Sequence, residues 1–257
     1  MFRRFRIIVL LLLLLALGLG TLLDRFYTLR WNAPLVVAVY PINADGSAVG
    51  ERYIAELQAS DFTPIETFFA SEAKEFKLSI ERPFQFTLAP AMKELPPKPP
   101  VGGGPLTIAA WSLHLRWWAW RTPPKPPGPT PRIRLFLLYY DPAAHTVLDH
   151  STGLSKGRLG IVNLFADQRA AGSNQTIIAH ELLHTLGATD KYDMGTTLPL
   201  YPDGYAEPNA LPRLPQRFAE LMGGRIPLST TKAAIPDSLD QVLIGPKTAI
   251  EIGWIKN

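Results

Sequence analysis

The stretch from Leu159 to Gly187, "LGIVNLFADQRAAGSNQTIIAHELLHTLG", joins an apolar run to a second segment with helical spacing. Leu159 to Asp167 is short and rich in β-branched and aromatic residues, which predicts a buried strand. The second segment begins at Ser173 or Asn174, either of which can cap a helix, and ends at Gly187, a typical helix stop. A strand followed at once by a helix indicates an α/β or α+β domain.

The same kind of pattern extends over most of the chain. Strands are predicted at residues 35–40, 84–90 and 132–141, and helices at 47–59 and 64–76. Residues 188–236 show little regular pattern, and so long an irregular region is usually functional or anchored, for example by a metal. With 257 residues, 47% of them apolar, the chain fits one domain with a sizeable core.

Four tryptophans lie in an apolar segment, residues 106–121, between two proline-rich stretches. The proline-rich stretches, residues 95–105 and 122–131, are predicted to be insertions that run over the surface. The segment between them is predicted to be a helix. It either packs on the core or lies partly against a membrane surface, for which tryptophan has a preference.

Charge and cysteine content exclude several classes of protein. The net charge is +4 and there is no dense Lys/Arg run beyond the N-terminus, so nothing indicates nucleic-acid binding. The chain has no cysteine, which excludes disulfides and any zinc finger with cysteine ligands.

The N-terminus predicts a membrane segment. Arg3, Arg4 and Arg6 precede an apolar run from Ile7 to Leu23, which as a helix is about 25 Å long, the short end of what crosses a bilayer. We expect residues 1–24 to be a signal anchor or a cleaved signal peptide, 25–34 a linker and 35–257 the folded domain. The domain then lies outside the cytoplasm, in the periplasm or extracellular space, either membrane-anchored or secreted after cleavage.

The predicted helix carries the pattern His-Glu-x-x-His. Two histidines four residues apart project from one helix face, so His180 and His184 can both bind one zinc ion. Glu181 points to the side of the metal, where it can take a proton from a zinc-bound water as general base. Catalytic zinc usually has three protein ligands. Gly187 lets the chain turn back after the helix, which favours Asp190 as the third ligand.

The segment from His180 to Asp190, "HELLHTLGATD", resembles the metzincin signature H-E-x-x-H-x-x-G-x-x-H/D. Its form, with aspartate in place of the third histidine, is similar to that of the snapalysins, and the "DKYD" that follows resembles a motif of immune-inhibitor-A-type secreted metalloproteases. Metzincins have a methionine turn beneath the metal, and Met222, followed by two glycines, suits that turn. The resemblance covers Thr176 to Pro227 only.

This resemblance implies a zinc-dependent endopeptidase that acts on a protein or peptide substrate. It implies a twisted mixed sheet above the active-site helix and an irregular C-terminal subdomain below it, with a last helix at residues 246–253. Residues 159–167 would then be the edge strand, along which an extended peptide binds by strand addition. The expected cofactor is zinc, the expected membrane contact is the N-terminal helix, and no oligomeric state is predicted.

Alternatives remain open for the third ligand and for the activity. Asp193 and Glu207 are rival ligands. Tyrosines after the motif could stabilise the oxyanion and two upstream histidines could line the cleft: Tyr192, Tyr201, Tyr205, His145 and His150. The protein could instead be a zinc hydrolase of a non-protein or cell-wall amide, or a non-catalytic envelope interaction protein on a zincin scaffold.

Overall fold

A computed structural model of the chain describes residues 29–256 apart from 101, 103 and 156, together with residues 5–7, 9–12, 15 and 18–20. Of the predicted membrane segment, residues 7–23, the positions 8, 13, 14, 16, 17 and 21–23 lie outside this described part. Among the described residues, no helix is long and apolar enough to cross a membrane.

A five-stranded sheet in the order β2-β1-β3-β5-β4 forms the centre of the domain. Its strands are β1 (Leu35–Asn43), β2 (Phe84–Leu88), β3 (Ile133–Tyr140), β4 (Thr152–Leu154) and β5 (Leu159–Phe165). Four strands run parallel, and the short β4 is antiparallel to its neighbour β5. The inner strands are apolar on both faces, as in other parallel sheets that helices cover from two sides.

Helices lie on both faces of this sheet. One face carries α1 (Ala48–Glu56), α2 (Thr63–Glu75) and α4 (Ala171–Leu186), and the other carries α3 (Pro105–Arg121). Alternate strand residues supply the two cores. Leu135 and Leu137 of β3 belong to the core that includes Leu182 of α4, whereas Phe136 packs edge-on against Trp118 of α3.

The chain after α4 is mostly irregular and packs against that helix. Its short elements are β6 (Ala219–Glu220), β7 (Ile226–Pro227), β8 (Ala233–Ala234), β9 (Val242–Leu243) and α5 (Pro246–Glu251). The end of the chain returns to the start of the fold, where Trp31 is buried and its Nε1 donates to the Ile252 carbonyl at 2.9 Å. Trp31 lies in the segment predicted to be a linker, so packed structure begins before residue 35.

The mixed α/β class and the helices and strands predicted from hydrophobic spacing are confirmed, with shifts of a few residues at their ends. Two expectations are wrong. Residues 159–167 do not form the sheet edge, because β4 pairs outside β5. Helix α4 begins before Ser173 and Asn174, and neither caps it. Asn174 instead exchanges two hydrogen bonds with the backbone of Phe165, which fixes the helix to the end of β5.

Candidate metal centre

Helix α4 ends in a turn that brings the chain back toward its two histidines. Gly187 is the C-cap at φ 101°, a conformation that glycine adopts without strain, so its predicted role as helix stop is confirmed. The next amide, Ala188 N, donates to the Leu183 carbonyl at 3.1 Å. The Ala188 carbonyl accepts a hydrogen bond from His184 Nδ1 at 2.8 Å, so the turn also orients this ring.

Three ligand-type atoms converge after the turn. His180 Nε2 and His184 Nε2 are 3.0 Å apart, and each lies 3.1 Å from Asp190 Oδ1. The other ring nitrogens contact carbonyl oxygens, that of Leu221 at 2.9 Å from His180 Nδ1 and that of Ala188 beside His184 Nδ1. A carbonyl oxygen only accepts, so each Nδ1 carries the hydrogen and each Nε2 of a neutral ring offers a lone pair.

This arrangement suits a cation. Two nitrogen lone pairs and a carboxylate oxygen at 3.0–3.1 Å repel one another unless positive charge lies between them. Atoms bound to one tetrahedral zinc ion are about 3.3–3.4 Å apart, close to these separations. His180, Glu181 and His184 also form a group, with ligand atoms within 4.8 Å of one another, that could hold a metal ion. The residues present therefore fit zinc.

Asp190 is ionised in this setting. Burial alone raises the pKa of a carboxyl group. Without a bound cation, protonated His180 and His184 outweigh burial through Nε2–H hydrogen bonds and charge, and they hold the pKa of Asp190 well below its usual range. Ionised carboxylates are the form that binds metals.

The neighbours of Asp190 are fixed on both sides. Thr189 donates to Glu251 through its amide at 3.0 Å and its hydroxyl at 2.9 Å. Lys191 Nζ lies 2.8 Å from Glu251 Oε2, and its amide donates to the Met222 carbonyl at 2.9 Å. These contacts with α5 and with the turn at Met222 position the Asp190 carboxylate. The spacing of the sequence motif does not predict the part that Glu251 plays in them.

Glu181 is buried beside the histidines with one oxygen left unpaired. Its Oε2 has no hydrogen-bond partner in the described part of the chain, while the carboxyl group accepts a backbone hydrogen bond from Gly153 of β4. Burial raises the pKa of Glu181, although the charges of His180 and His184 oppose the shift. A carboxylate of this kind can take and return a proton.

Gly153 brings the sheet edge close to the histidines. A Cβ at this position would collide with His184 Cβ and with the Glu181 carbonyl oxygen. Only glycine therefore lets β4 lie so near α4. Sequence pattern does not reveal this residue, because the three residues of β4 are too few for a strand signal.

A cavity of about 400 Å³ opens beside Glu181 and His180. Tyr192 lines it, and burial together with the charge of Asp190 and a hydrogen bond to it raises the pKa of Tyr192 to about 12. The hydroxyl therefore stays protonated at neutral pH and can donate. Other residues come from the segment before β4, from β5 and α4, and from the C-terminal region: His150, Phe165, Ile177, Arg225 and Ile235.

The turn Leu221–Gly223 lies beside His180 and is held by a buried carboxylate. Met222 is fully buried in the core. Glu220, also fully buried, accepts hydrogen bonds from Gly223 N at 2.8 Å, Gly245 N at 3.1 Å and Thr248 Oγ1 at 2.6 Å. Sequence pattern missed Glu220, although a single acid within "FAELMGG" is a signal of a buried, paired carboxylate.

The rival ligands are bonded elsewhere. Asp193 Oδ1 closes a turn by accepting from Gly195 N at 3.1 Å and from Thr196 N and Oγ1 at 2.8 Å. Glu207 Oε1 lies 2.7 Å from Arg217 Nη2. Asp190 is thus the acidic candidate that the structure brings to the histidines.

The tyrosines and histidines predicted to lie at the site also divide into those that line the cavity and those that do not. Tyr192 and His150 line the cavity, whereas Tyr201, Tyr205 and His145 do not. His145 Nε2 instead lies 3.6 Å from Oδ2 of Asp45, a residue that follows β1.

The sequence matches no protein-family model, and no curated protein matches it. Function is therefore inferred from the residues of the site.

Proposed function

We propose that the chain is a zinc-dependent endopeptidase, with His180, His184 and Asp190 as metal ligands and Glu181 as general base. One observation carries this proposal. Three lone-pair atoms converge at 3.0–3.1 Å beside a buried glutamate that lines a cavity and has one carboxylate oxygen without a hydrogen-bond partner. Lone-pair atoms held this close repel one another, and a buried carboxylate oxygen without a donor is costly in a folded protein. A metal would satisfy the lone-pair atoms, and a substrate water would satisfy the carboxylate oxygen.

The side chains around the cavity have complementary parts in peptide hydrolysis. Zinc, when bound, supplies Lewis-acid polarisation of the scissile carbonyl and acidifies water. Glu181 takes the proton of the attacking water and returns it to the leaving amine. Tyr192, which lines the cavity and keeps its proton at neutral pH, would donate a hydrogen bond to the oxyanion.

The position of β4 favours a peptide over another amide. This strand is the last in the sheet order, so its outer edge is not paired with any strand of the described part. Gly153 places that edge against His184 and Glu181. An extended peptide that adds to the edge of β4 by main-chain hydrogen bonds would pass the ligand atoms. With the predicted N-terminal segment, we propose that this reaction takes place outside the cytoplasm, at or near a membrane.

The test is metal-dependent cleavage of a peptide library by the purified full-length chain. We expect cleavage with one equivalent of zinc, loss of cleavage with a chelator, and recovery when zinc is added back. Glu181→Gln should bind zinc without cleaving, while Glu207→Gln, at the rival acid, should cleave normally. Equal cleavage by wild type and Glu181→Gln, or none by wild type loaded with zinc, would overturn the proposal.

A further inference from the structure

Helix α3 is apolar on two opposite sides, and the sheet covers only one of them. Leu115, Trp118 and Ala119 are buried against the sheet. On the other side Leu113, Trp117 and Trp120 are 62%, 50% and 77% exposed, and Leu106, at the start of the helix, is 87% exposed. Helices that are apolar all round are normally enclosed by protein or lipid.

The exposed side forms one continuous stripe. Its members, Leu106, Leu113, Trp117 and Trp120, are separated by seven, four and three residues, which places them within one narrow arc of the helix. Trp111 and Trp118, on the sheet side, donate their indole N–H groups to Pro97 O and Glu94 Oε1. Those of Trp117 and Trp120 have no protein acceptor in the described part of the chain, so they are free for water or for lipid headgroups.

The chain segment that carries the stripe is basic. Residues 95–140 contain no Asp or Glu and hold six basic residues: Lys98, Arg116, Arg121, Lys125, Arg132 and Arg134. The rest of the chain then has 20 basic against 22 acidic residues, so the net positive charge of the protein comes from this segment. Arg121 flanks the stripe, with its guanidinium 5.3 Å from the centre of the Trp117 ring.

We propose that this stripe, Leu106, Leu113, Trp117 and Trp120, docks on the surface of an anionic lipid bilayer, with α3 lying in the plane of the interface. Tryptophan rings favour the headgroup region, and basic residues beside them are attracted to anionic lipid. A protein partner would have to offer an acidic rim around an apolar groove, whereas an anionic bilayer supplies both properties without a specific shape.

Docking through α3 has a consequence for the candidate metal centre. Helix α3 and helix α4 lie on opposite faces of the sheet. The cavity beside α4 therefore stays on the side of the domain that faces away from the bilayer, open to substrates in the aqueous phase. This inference does not depend on the proposed peptidase activity.

Because the chain has no cysteine, a single introduced cysteine can be labelled at one known position. Leu113→Cys in the full-length protein is labelled with an environment-sensitive fluorophore and reconstituted in phosphatidylcholine vesicles with or without phosphatidylglycerol. Leu211→Cys, in the C-terminal region and 97% exposed, is the matched control. We expect a blue shift at position 113, and quenching by brominated acyl chains, only in the anionic vesicles, and an aqueous signal at position 211 in both.

A charge variant tests the electrostatic part. At about 1 kcal/mol for each basic residue near an anionic surface, Arg121→Gln with Lys125→Gln should lower the ratio of lipid-buried to water-exposed probe about 30-fold. Lys232→Gln with Lys247→Gln, two exposed basic residues elsewhere, should leave it unchanged. An aqueous signal at position 113 in anionic vesicles would overturn the proposal. So would a blue shift that brominated lipid does not quench, since a second copy or another part of this chain would then cover the stripe.

Discussion

Glu181 and Glu220 are two buried glutamates near the same histidine pair, and they differ in how many partners they have. Glu220 accepts from Gly223, Gly245 and Thr248 and thereby ties the turn beside His180 to the last helix. Glu181 leaves Oε2 without a partner. A buried carboxylate with a complete set of donors is explained by the fold, whereas one with an unpaired oxygen needs another explanation, which we propose is a reaction.

Exchanging the unpaired carboxylate gives the largest expected effect. Glu181→Gln keeps the shape of the side chain but cannot accept a proton, so kcat/KM for peptide cleavage should fall by roughly 10²–10⁴. Zinc content and the urea midpoint should not fall, because the glutamine carries no charge into the buried site. Steady-state kinetics, metal analysis and urea unfolding measure the three quantities. A large loss of stability would show that Glu181 serves the fold as Glu220 does.

The paired carboxylate should show the opposite behaviour. Glu220→Ala leaves Gly223 N, Gly245 N and Thr248 Oγ1 without their acceptor, which should lower the free energy of unfolding by about 3 kcal/mol or more. Urea unfolding monitored by tryptophan fluorescence measures it. A Glu220→Ala variant as stable as wild type would remove the distinction between the two glutamates.

Glu72 lies between these extremes, with one backbone donor, Ile244 N at 2.7 Å. Burial, with the charges of Glu75 and Glu220, raises the pKa of Glu72 from 4.5 to about 7. Between these values the folded state holds a proton that the unfolded state has lost. The free energy of unfolding should therefore decrease by roughly 3 kcal/mol as the pH rises from below 4.5 to above 7.

Replacing Glu72 should remove that part of the pH dependence. Glu72→Gln keeps an acceptor for Ile244 N and does not ionise, so its stability relative to wild type should increase as the pH rises from 4 to 8. Glu51→Gln, at an exposed position, is the control. Parallel pH profiles for Glu72→Gln and wild type would contradict the expectation. The measurement is urea unfolding at a series of pH values.

A change beside Glu181 should have an intermediate effect. Gly153→Ala places a Cβ against His184 and the Glu181 carbonyl, and relief of such a clash typically costs about 1–3 kcal/mol of stability. Because β4 must move away from the histidines, zinc affinity should fall as well. Gly195→Ala, where the nearest side-chain atom is 3.4 Å away, should change neither. Chelator competition and urea unfolding test both quantities.

The smallest effect is expected at Met222, which makes no polar side-chain contact with the site. Met222→Leu conserves volume in the core and should cost less than about 1.5 kcal/mol, with zinc content unchanged. Loss of zinc from this variant would mean that the methionine acts on the metal centre directly.

The sequence predicts what depends on local pattern and misses what depends on contacts between distant residues. The inner strands, the main helices and the spacing of His180, His184 and Asp190 follow from periodicity and motif. Glu251, which fixes both neighbours of Asp190, lies 61 residues beyond it and has no local signal. Asn174 looks like a helix cap in the sequence but is used in a tertiary contact with Phe165.

Edge and surface features are also beyond the sequence pattern. Strand β4 has three residues, so its place at the sheet edge depends on β5 and on the close approach that Gly153 allows. The sequence predicts α3 as a helix. Because apolar residues occur on all sides of this helix, the sequence does not show whether the side that faces away from the sheet is covered. Only the positions of the neighbouring elements show that Trp117 and Trp120 are exposed.

Stoichiometric zinc binding tests the central claim most directly. The metal content of the full-length chain is measured after chelator competition, for wild type, Glu181→Gln, Asp190→Ala and Glu207→Ala. We predict one zinc per chain for wild type, Glu181→Gln and Glu207→Ala, and a strong loss of zinc from Asp190→Ala. A wild-type chain without affinity for zinc, or an Asp190→Ala chain that keeps zinc while Glu207→Ala loses it, would contradict the assignment of the three ligands.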